Sequence, residues 1–241
     1  MKIRLNIRRF DPEKDKQPHF ERYEIEHEHG MRLLHALEHI KNERDQTLSF
    51  RWNCGAGRCG SCAAEVNGQP VLTCKYEILP NAGEVSIEPM KVFPLVKDLV
   101  VDLTYLREGL RKISRFKATK KPFFKMYDYD IETTKEMKKC IECGICHDVC
   151  HAIRDHKTDY IGPRFMAKIA SFERHPYDSS EHAATAEKLG IGYCNVTKCC
   201  QKVCPEKIKI TDNAIIPLKE KIAENKRVDF FRNFLGLGDK K

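Results

Sequence analysis

Cys140-Ile-Glu-Cys143-Gly-Ile-Cys146-His-Asp-Val-Cys150 is the stretch on which the reading of this sequence turns. Its Cys-x2-Cys-x2-Cys-x3-Cys spacing is that of bacterial ferredoxins, in which the first three cysteines hold one 4Fe-4S cluster and the fourth crosses to a second cluster. The run also contains Cys143-Gly-Ile-Cys146-His147, the pattern of covalent haem attachment. That pattern leaves the phasing of Cys140 and Cys150 unexplained, and haem attachment of this kind needs export, whereas Met1-Lys-Ile-Arg-Leu-Asn-Ile-Arg-Arg has no apolar leader core.

Two further groups of cysteines flank this run. Upstream, Cys54-x4-Cys59-x2-Cys62 with a more distant Cys74 has the spacing of plant-type 2Fe-2S sites. Gly55, Gly57 and Gly60 lie between these cysteines, and glycines let a loop wrap closely and aim backbone N–H groups at cluster sulfurs. Structural zinc favours paired Cys-x2-Cys knuckles, and only one such pair occurs in this group. Downstream lie Cys194, Cys199, Cys200 and Cys204, the last followed by Pro205. A repeat of the ferredoxin run begun at Cys194 needs cysteines at 197, 200 and 204, but position 197 is Thr197. Cys204 therefore joins Cys140, Cys143 and Cys146 on a 4Fe-4S cluster. Cys150, Cys194 and Cys200 are left for a second cluster, and three thiolates suit 3Fe-4S. Cys199 is spare, or swings in to complete a four-iron cluster.

Composition bounds the rest. The 241 residues include 12 cysteines, 43 Lys plus Arg against 35 Asp plus Glu, and 32% charged residues, the profile of a globular chain rather than a disulfide scaffold or a disordered one. The longest apolar stretch, about Leu95 to Leu106, is broken by Lys97, Asp98 and Asp102, far from the ~20 apolar residues of a membrane span. Such a chain is expected inside the cell, where thiols stay reduced and cysteine clusters hold metal. The formal charge of +8 counts every thiol as neutral; three oxidised clusters with their thiolates, at about −2 each, bring the holoprotein nearer about +2.

Alternation at Ile3, Leu5 and Ile7 predicts a strand that Tyr23 to Ile25 can pair with, Asn67-Gly68 marks a hairpin, and Glu84 to Ile87 a last short strand. Leu33, Leu34, Leu37 and Ile40 recur at helical spacing. This predicts an α+β domain over 1–103. A helical stripe is expected through Leu99, Leu103, Leu106, Leu110 and Ile113, then a basic linker within 104–130, then a mainly helical domain over 131–241. Arg111 to Lys125 holds seven basic residues, no acidic one, and Phe116, Phe123 and Phe124. It reads as a segment meeting anionic lipid heads or a partner rather than nucleic acid. His35 and His39, spaced i and i+4, lack a third ligand in phase and read as solvated or packing residues. Phe230, Phe231, Phe234 and Leu235 in a Lys-rich tail read as a docking face for a membrane anchor subunit or as a packed helix.

Taken in order, Cys59-Gly-Ser-Cys62, Cys140-Ile-Glu-Cys-Gly-x-Cys146 and Cys194-x5-Cys200-x3-Cys204-Pro205 resemble the iron-sulfur subunits of succinate dehydrogenases and fumarate reductases over nearly the whole chain. The segment from Cys194-Asn-Val-Thr-Lys-Cys-Cys through Ile208 to Glu220 is similar to a branch found in actinobacteria and some other prokaryotes. The resemblance implies a plant-type ferredoxin (β-grasp) domain followed by a helical bacterial-type ferredoxin domain carrying 2Fe-2S, 4Fe-4S and 3Fe-4S clusters. It implies an FAD-containing flavoprotein partner, membrane anchor subunits, in some cases with haem b, quinone nearby, and a place on the cytoplasmic face of the membrane. The chain itself then carries electrons and binds no dicarboxylate.

The sequence departs from the family pattern around the terminal cluster. His151, not Pro, follows Cys150, the family's nearby tryptophans are missing, since Trp52 is the only one in the chain, and Asn195 replaces a His. His151 and Asn195 are thus the candidates for the quinone's vicinity, and a helix-capping or packing role is the other reading of His151. Gly55 stands where many members have Arg, and Arg58 is the basic residue placed to supply that charge. Two other functions share parts of this pattern: an electron carrier for a thiol- or heterodisulfide-linked fumarate reductase, and a zinc-binding interaction module.

Overall fold

A computed structural model describes residues 2–119 and 125–235 of the chain. They form two compact units that interleave in sequence. The first takes Met1–Arg107, Cys140–Val149 and Lys202–Lys207, and the second takes Glu108–Lys139, Cys150–Gln201 and Ile208–Lys241. Compactness therefore divides the chain differently from the contiguous boundaries expected at 103 and 131.

In the first unit, strands β1 (Lys2–Arg9), β2 (His19–Glu26), β3 (Ala63–Val66), β4 (Gln69–Leu72) and β5 (Glu84–Glu88) form one mixed sheet in the order β2-β1-β5-β3-β4. The central pair, β1 and β5, is parallel, with Leu5 opposite Val85 and Ile7 opposite Ile87. Because side chains alternate along a strand, Ile3, Leu5 and Ile7 all point to one face. There they bury against Leu33, Leu37 and Ile40 of helix α1 (Leu33–Glu43). This is the β-grasp arrangement. The hairpin at Asn67-Gly68 forms as expected, both residues taking positive φ between Val66 and Gln69, as a type I′ turn requires.

The helical stripe begins later than its spacing suggests. Leu95–Lys97 (β6) and Val100–Val101 (β7) pair antiparallel, and helix α2 covers only Thr104–Arg111. Tertiary hydrogen bonding overrides the periodicity. Asp98, in a left-handed conformation, accepts from the backbone N–H of Phe10 at 2.9 Å and of Ser49 at 2.8 Å, while Leu99 joins the core under α1.

In the second unit the regular structure is helical: α3 (Asp128–Lys138), α5 (His151–His156), α6 (Pro163–Glu173), α7 (His182–Lys188) and α9 (Ile216–Phe234). The short helices α4 (Ile145–Asp148), in the first unit, and α8 (Cys199–Lys202) carry cysteines. Phe165 and Ile169 of α6 are fully buried, and Leu218 of α9 is buried. The linker has partners within this unit: the Ser179 N–H and hydroxyl both donate to the Lys117 carbonyl, and the Lys117 N–H donates to Asp178. Phe123 and Phe124 lie outside the described residues. Among the described residues no helix is long and apolar enough to cross a membrane.

Arg9 ties the sheet end to two loops. Its guanidinium donates to Asp98 at 3.0 Å, Glu21 at 2.8 Å and Thr47 at 2.8 Å, and also bonds Asp45 and Tyr23. Burial pushes the Asp45 carboxyl up, but bonds from Thr47 and Arg9 outweigh it and hold the group well below the usual carboxylate range. A depressed folded value means that this stabilisation is in place above the unfolded value of about 4 and is lost as pH falls below it. Arg9→Met takes the cation away from buried Asp98 and half-buried Asp45 and is expected to cost ~3–5 kcal/mol, read as a lower urea midpoint by far-ultraviolet circular dichroism. An unchanged midpoint would show the network to be energetically idle.

Candidate metal centres

No disulfide links the twelve cysteines. The loop from Cys54 to Cys62 lies between α1 and β3, leads directly into β3, and wraps tightly because Gly55, Gly57 and Gly60 take positive φ. At Gly60 a Cβ would lie 2.8 Å from both the Cys143 Cα and the Ile141 carbonyl oxygen, so only glycine admits this approach. The backbone N–H groups of Ala56 and Arg58 donate to Cys54 Sγ at 3.4 and 3.2 Å and pull that exposed thiol down to about 6. Cys54 also meets Cys59, and Cys62 lies 3.3 Å from Cys74. Burial, with Cys62 adding to it, pushes Cys74 up to about 11. Four sulfurs, two of them buried, thus gather in a cradle that already aims N–H groups at sulfur, and the residues present fit a 2Fe-2S group.

The second set lies in the same unit. Cys143 is buried, pushed up to about 12 by that burial, and feels the charges of Cys140 and Cys204. Cys146 sits in α4, whose next residue, His147, is fully enclosed with its ring 6.4 Å from Phe93 and 6.0 Å from Tyr105. The loop between Cys140 and Cys143 places Glu142 at φ 60°, in the left-handed region that an ordinary side chain seldom adopts.

The third set belongs to the second unit. Cys150, the N-cap of α5, is raised to about 11 by burial and feels Cys199 and Cys194. Cys200, in α8, is raised to about 12 by burial and feels Cys199, Cys194 and Cys150. The structure thus brings Cys204 to Cys140 and Cys143, and Cys150 to Cys194 and Cys200. It also brings the spare Cys199 to this last group. The loop holding them is bent at two non-glycine positions, Val196 at φ 64° and Lys198 at φ 62°. Replacing a proton on each buried sulfur by metal removes the cost of a buried charge, so cluster loading releases protons.

Three residues that spacing arguments had not singled out complete this site. The Thr211 hydroxyl lies 3.3 Å from Cys200 Sγ, at the start of a π-helical turn over Thr211–Ile215. Gln201 accepts from the Thr211 N–H at 3.1 Å, and Lys219 of α9 donates to the Cys194 carbonyl. Thr211 carries no cysteine-like signal, and only a three-dimensional view relates it to sulfur. His151 and Asn195 are joined by a 2.9 Å hydrogen bond beside Cys150 and Cys194. His151 opens α5 without capping it. Elsewhere His35 is exposed, and His39 lies 3.4 Å from Glu43. Among the described residues no three His, Cys, Asp or Glu side chains converge at single-ion distances.

Residues 4–108 match the family model described as a 2Fe-2S iron-sulfur cluster binding domain, and residues 136–208 match a 4Fe-4S dicluster domain. The chain is 31% identical to the fumarate reductase iron-sulfur subunit of Escherichia coli O157:H7 over 86% of its own length and 87% of that protein's. It belongs to the family of fumarate reductase and succinate dehydrogenase iron-sulfur subunits. A chain of the Mycobacterium smegmatis Sdh1 complex in the apo form superposes with a TM-score of 0.89 at 39% identity, covering 94% of this chain and 97% of that one. A fumarate reductase (CoM/CoB) subunit of Methanothermobacter marburgensis is 34% identical over 90% of this chain, which spans only 44% of that longer protein. As a family member the chain is an iron-sulfur electron-transfer subunit, with a 2Fe-2S β-grasp domain and a helical 4Fe-4S dicluster domain.

Gly60→Ala is expected to lower iron and acid-labile sulfide per chain and bleach the visible spectrum, because the new Cβ runs into the backbone of the Ile141–Cys143 segment. Full iron content would contradict the close approach. Thr211→Val removes a hydroxyl that donates to Cys200 sulfur once that sulfur is a thiolate. The terminal cluster's potential should move in the negative direction in an EPR-monitored redox titration, with no change in the other two.

Proposed function

We propose that this chain is the one-electron relay of a membrane-bound succinate:quinone oxidoreductase, working between the FAD of a flavoprotein subunit and a quinone beside membrane anchor subunits. The observation that carries this reading is the exchange of Cys150 and Cys204. Each lies next to one run of cysteines in sequence and beside the other in space, the arrangement of a two-cluster ferredoxin. Cys54, Cys59, Cys62 and Cys74 would hold the 2Fe-2S group. Cys140, Cys143, Cys146 and Cys204 would hold 4Fe-4S, and Cys150, Cys194 and Cys200 would hold 3Fe-4S. Bound there, these clusters supply one-electron carriers between a two-electron flavin and a quinone.

The protein's own part is positional and electrostatic. Glycine and left-handed turns close the loops on sulfur, backbone N–H groups and Thr211 offset thiolate charge, and burial keeps water from the inner sulfurs. His151 and Asn195, held together by their hydrogen bond, form the polar pair next to the terminal cluster and the proposed contact for a quinone. The complex would sit peripherally at the cytoplasmic face of the membrane, held by its anchor subunits.

Two observations favour second readings. Cys199 stands among Cys150, Cys194 and Cys200, which suits a fourth thiolate and a four-iron terminal cluster. The similarity to a CoM/CoB fumarate reductase favours thiols in place of quinone as the redox partner. Low-temperature EPR of the oxidised complex, purified with its flavoprotein and anchors, separates the first pair. A three-iron signal present in both the unaltered chain and Cys199→Ser is expected, and its absence from both refutes the 3Fe-4S assignment. The same complex should exchange electrons between succinate and quinone, and His151→Ala should slow that exchange while sparing succinate oxidation by an artificial dye. Activity with dithiols alone would replace quinone in the scheme.

A further inference from the structure

Helix α9 spans 19 residues from Ile216 to Phe234. Its first half is fixed in the second unit: Leu218 is buried, Lys219 holds the Cys194 carbonyl, and Lys226 pairs with Glu187 of α7. Beyond Lys226 the helix leaves the core, and every residue from Arg227 to Leu235 is exposed. Phe230, Phe231, Phe234 and Leu235 are 65%, 54%, 78% and 64% exposed, and Val228 is 42% exposed. At 100° per residue these five fall within an arc of roughly 160°, a continuous apolar face. The rings of Phe230 and Phe231 meet edge to face at 5.7 Å, and Phe230 stacks on Phe234 at 6.5 Å. The opposite arc carries Lys226, Arg232 and Asn233 with a single acid, Asp229, and Arg227 rises from within the apolar face. The sequence then continues to Lys240 and Lys241.

We propose that this distal face of α9 binds directly to an anionic phospholipid surface, with the three phenylalanines buried at the headgroup boundary and Arg227 and Arg232 meeting lipid phosphates. Aromatic side chains on one face and cations around them are the composition of interfacial helices. Arginine's long stem lets Arg227 lie along the apolar face while its charge reaches the headgroups. A basic flank adds attraction only to anionic lipid. Phe230 lies about 16 Å along the helix axis from Lys219, at ~1.5 Å per residue, so α9 would act as a strut that fixes the depth of the terminal cysteine set relative to the bilayer. The proposal rests on the reading that the chain works at a membrane, and adds a contact made with lipid rather than with an anchor subunit.

The test is co-sedimentation of the full cluster-bearing chain with vesicles of pure phosphatidylcholine and of a phosphatidylcholine–phosphatidylglycerol mixture. The chain should pellet with the mixture. Phe230→Ser combined with Phe234→Ser should reduce that binding about tenfold or more, and Arg227→Gln with Arg232→Gln should weaken binding to the mixture only. Visible absorbance and circular dichroism should not change in either variant, since all four side chains are exposed. Failure of the unaltered chain to pellet, or equal binding by the phenylalanine variant, overturns the proposal. If the unaltered chain stays in solution and the phenylalanine variant fails to assemble with the anchor subunits, the face belongs to an anchor. The lipid contact then falls while the membrane reading stands. A dimer that the same variant dissociates would assign the face to a second copy and overturn the lipid contact as well.

Discussion

Twelve thiols must be brought together in sets without disulfides, and the cost of placing sulfur charge in a protein interior governs the chain around them. Burial pushes Cys143 and Cys200 to about 12, so neither sulfur ionises at neutral pH until metal replaces its proton. The backbone departs from ordinary conformations at these places. Gly55, Gly57 and Gly60, then Glu142, then Val196 and Lys198, and Lys207 after Cys204, all take positive φ within three residues of a cysteine. For a β-branched residue such as Val196, two positions from Cys194, that conformation is costly. The β-grasp sheet and the helices serve as supports for these loops.

Much of the chemistry was legible in the sequence because ligand spacing is local and sulfur is rare. The cysteine groups, the hairpin at Asn67-Gly68, the alternation of β1 and the stripe of α1 all depend on residues within a few positions of one another. What could not be read depends on distant partners. Leu99 carries a helical spacing yet belongs to the core of the first unit, since Asp98 takes backbone donors from Phe10 and Ser49. The parallel pairing of β1 with β5 joins segments far apart in the chain. Thr211 and Lys219 act on the third cysteine set from across the helical unit, and nothing in their neighbours announces it. The apolar residues at the end of α9 had two readings, as a docking face or as a packed helix, and their exposure excludes the packed one in the isolated chain.

Membership of the family sets the reaction class, and the local departures set what is particular to this chain. His151 stands where better-known members have Pro and Asn195 where they have His, and the two side chains are hydrogen-bonded to each other. The bond between them fixes the orientation of both polar side chains next to Cys150 and Cys194. The basic excess has a similar logic. Bound cluster charges would offset most of it in sum, while Arg227 and Arg232, on the exposed distal turns of α9, stand apart from the cysteines.

The interleaving of the two units has a consequence for synthesis. The chain leaves the first unit after Val149, builds most of the helical unit, and returns with Lys202–Lys207 to complete the first. A nascent chain therefore cannot finish its amino-terminal unit when that sequence emerges from the ribosome. The unit waits for a strip made much later, and the wait leaves exposed thiols open to oxidation or to the wrong metal. Closure of a long loop is slow compared with local folding, so the order of emergence favours filling the plant-type loop, whose four sulfurs lie within Cys54 to Cys74, before the set completed by Cys204. The path of the polypeptide itself would thereby set an order of maturation.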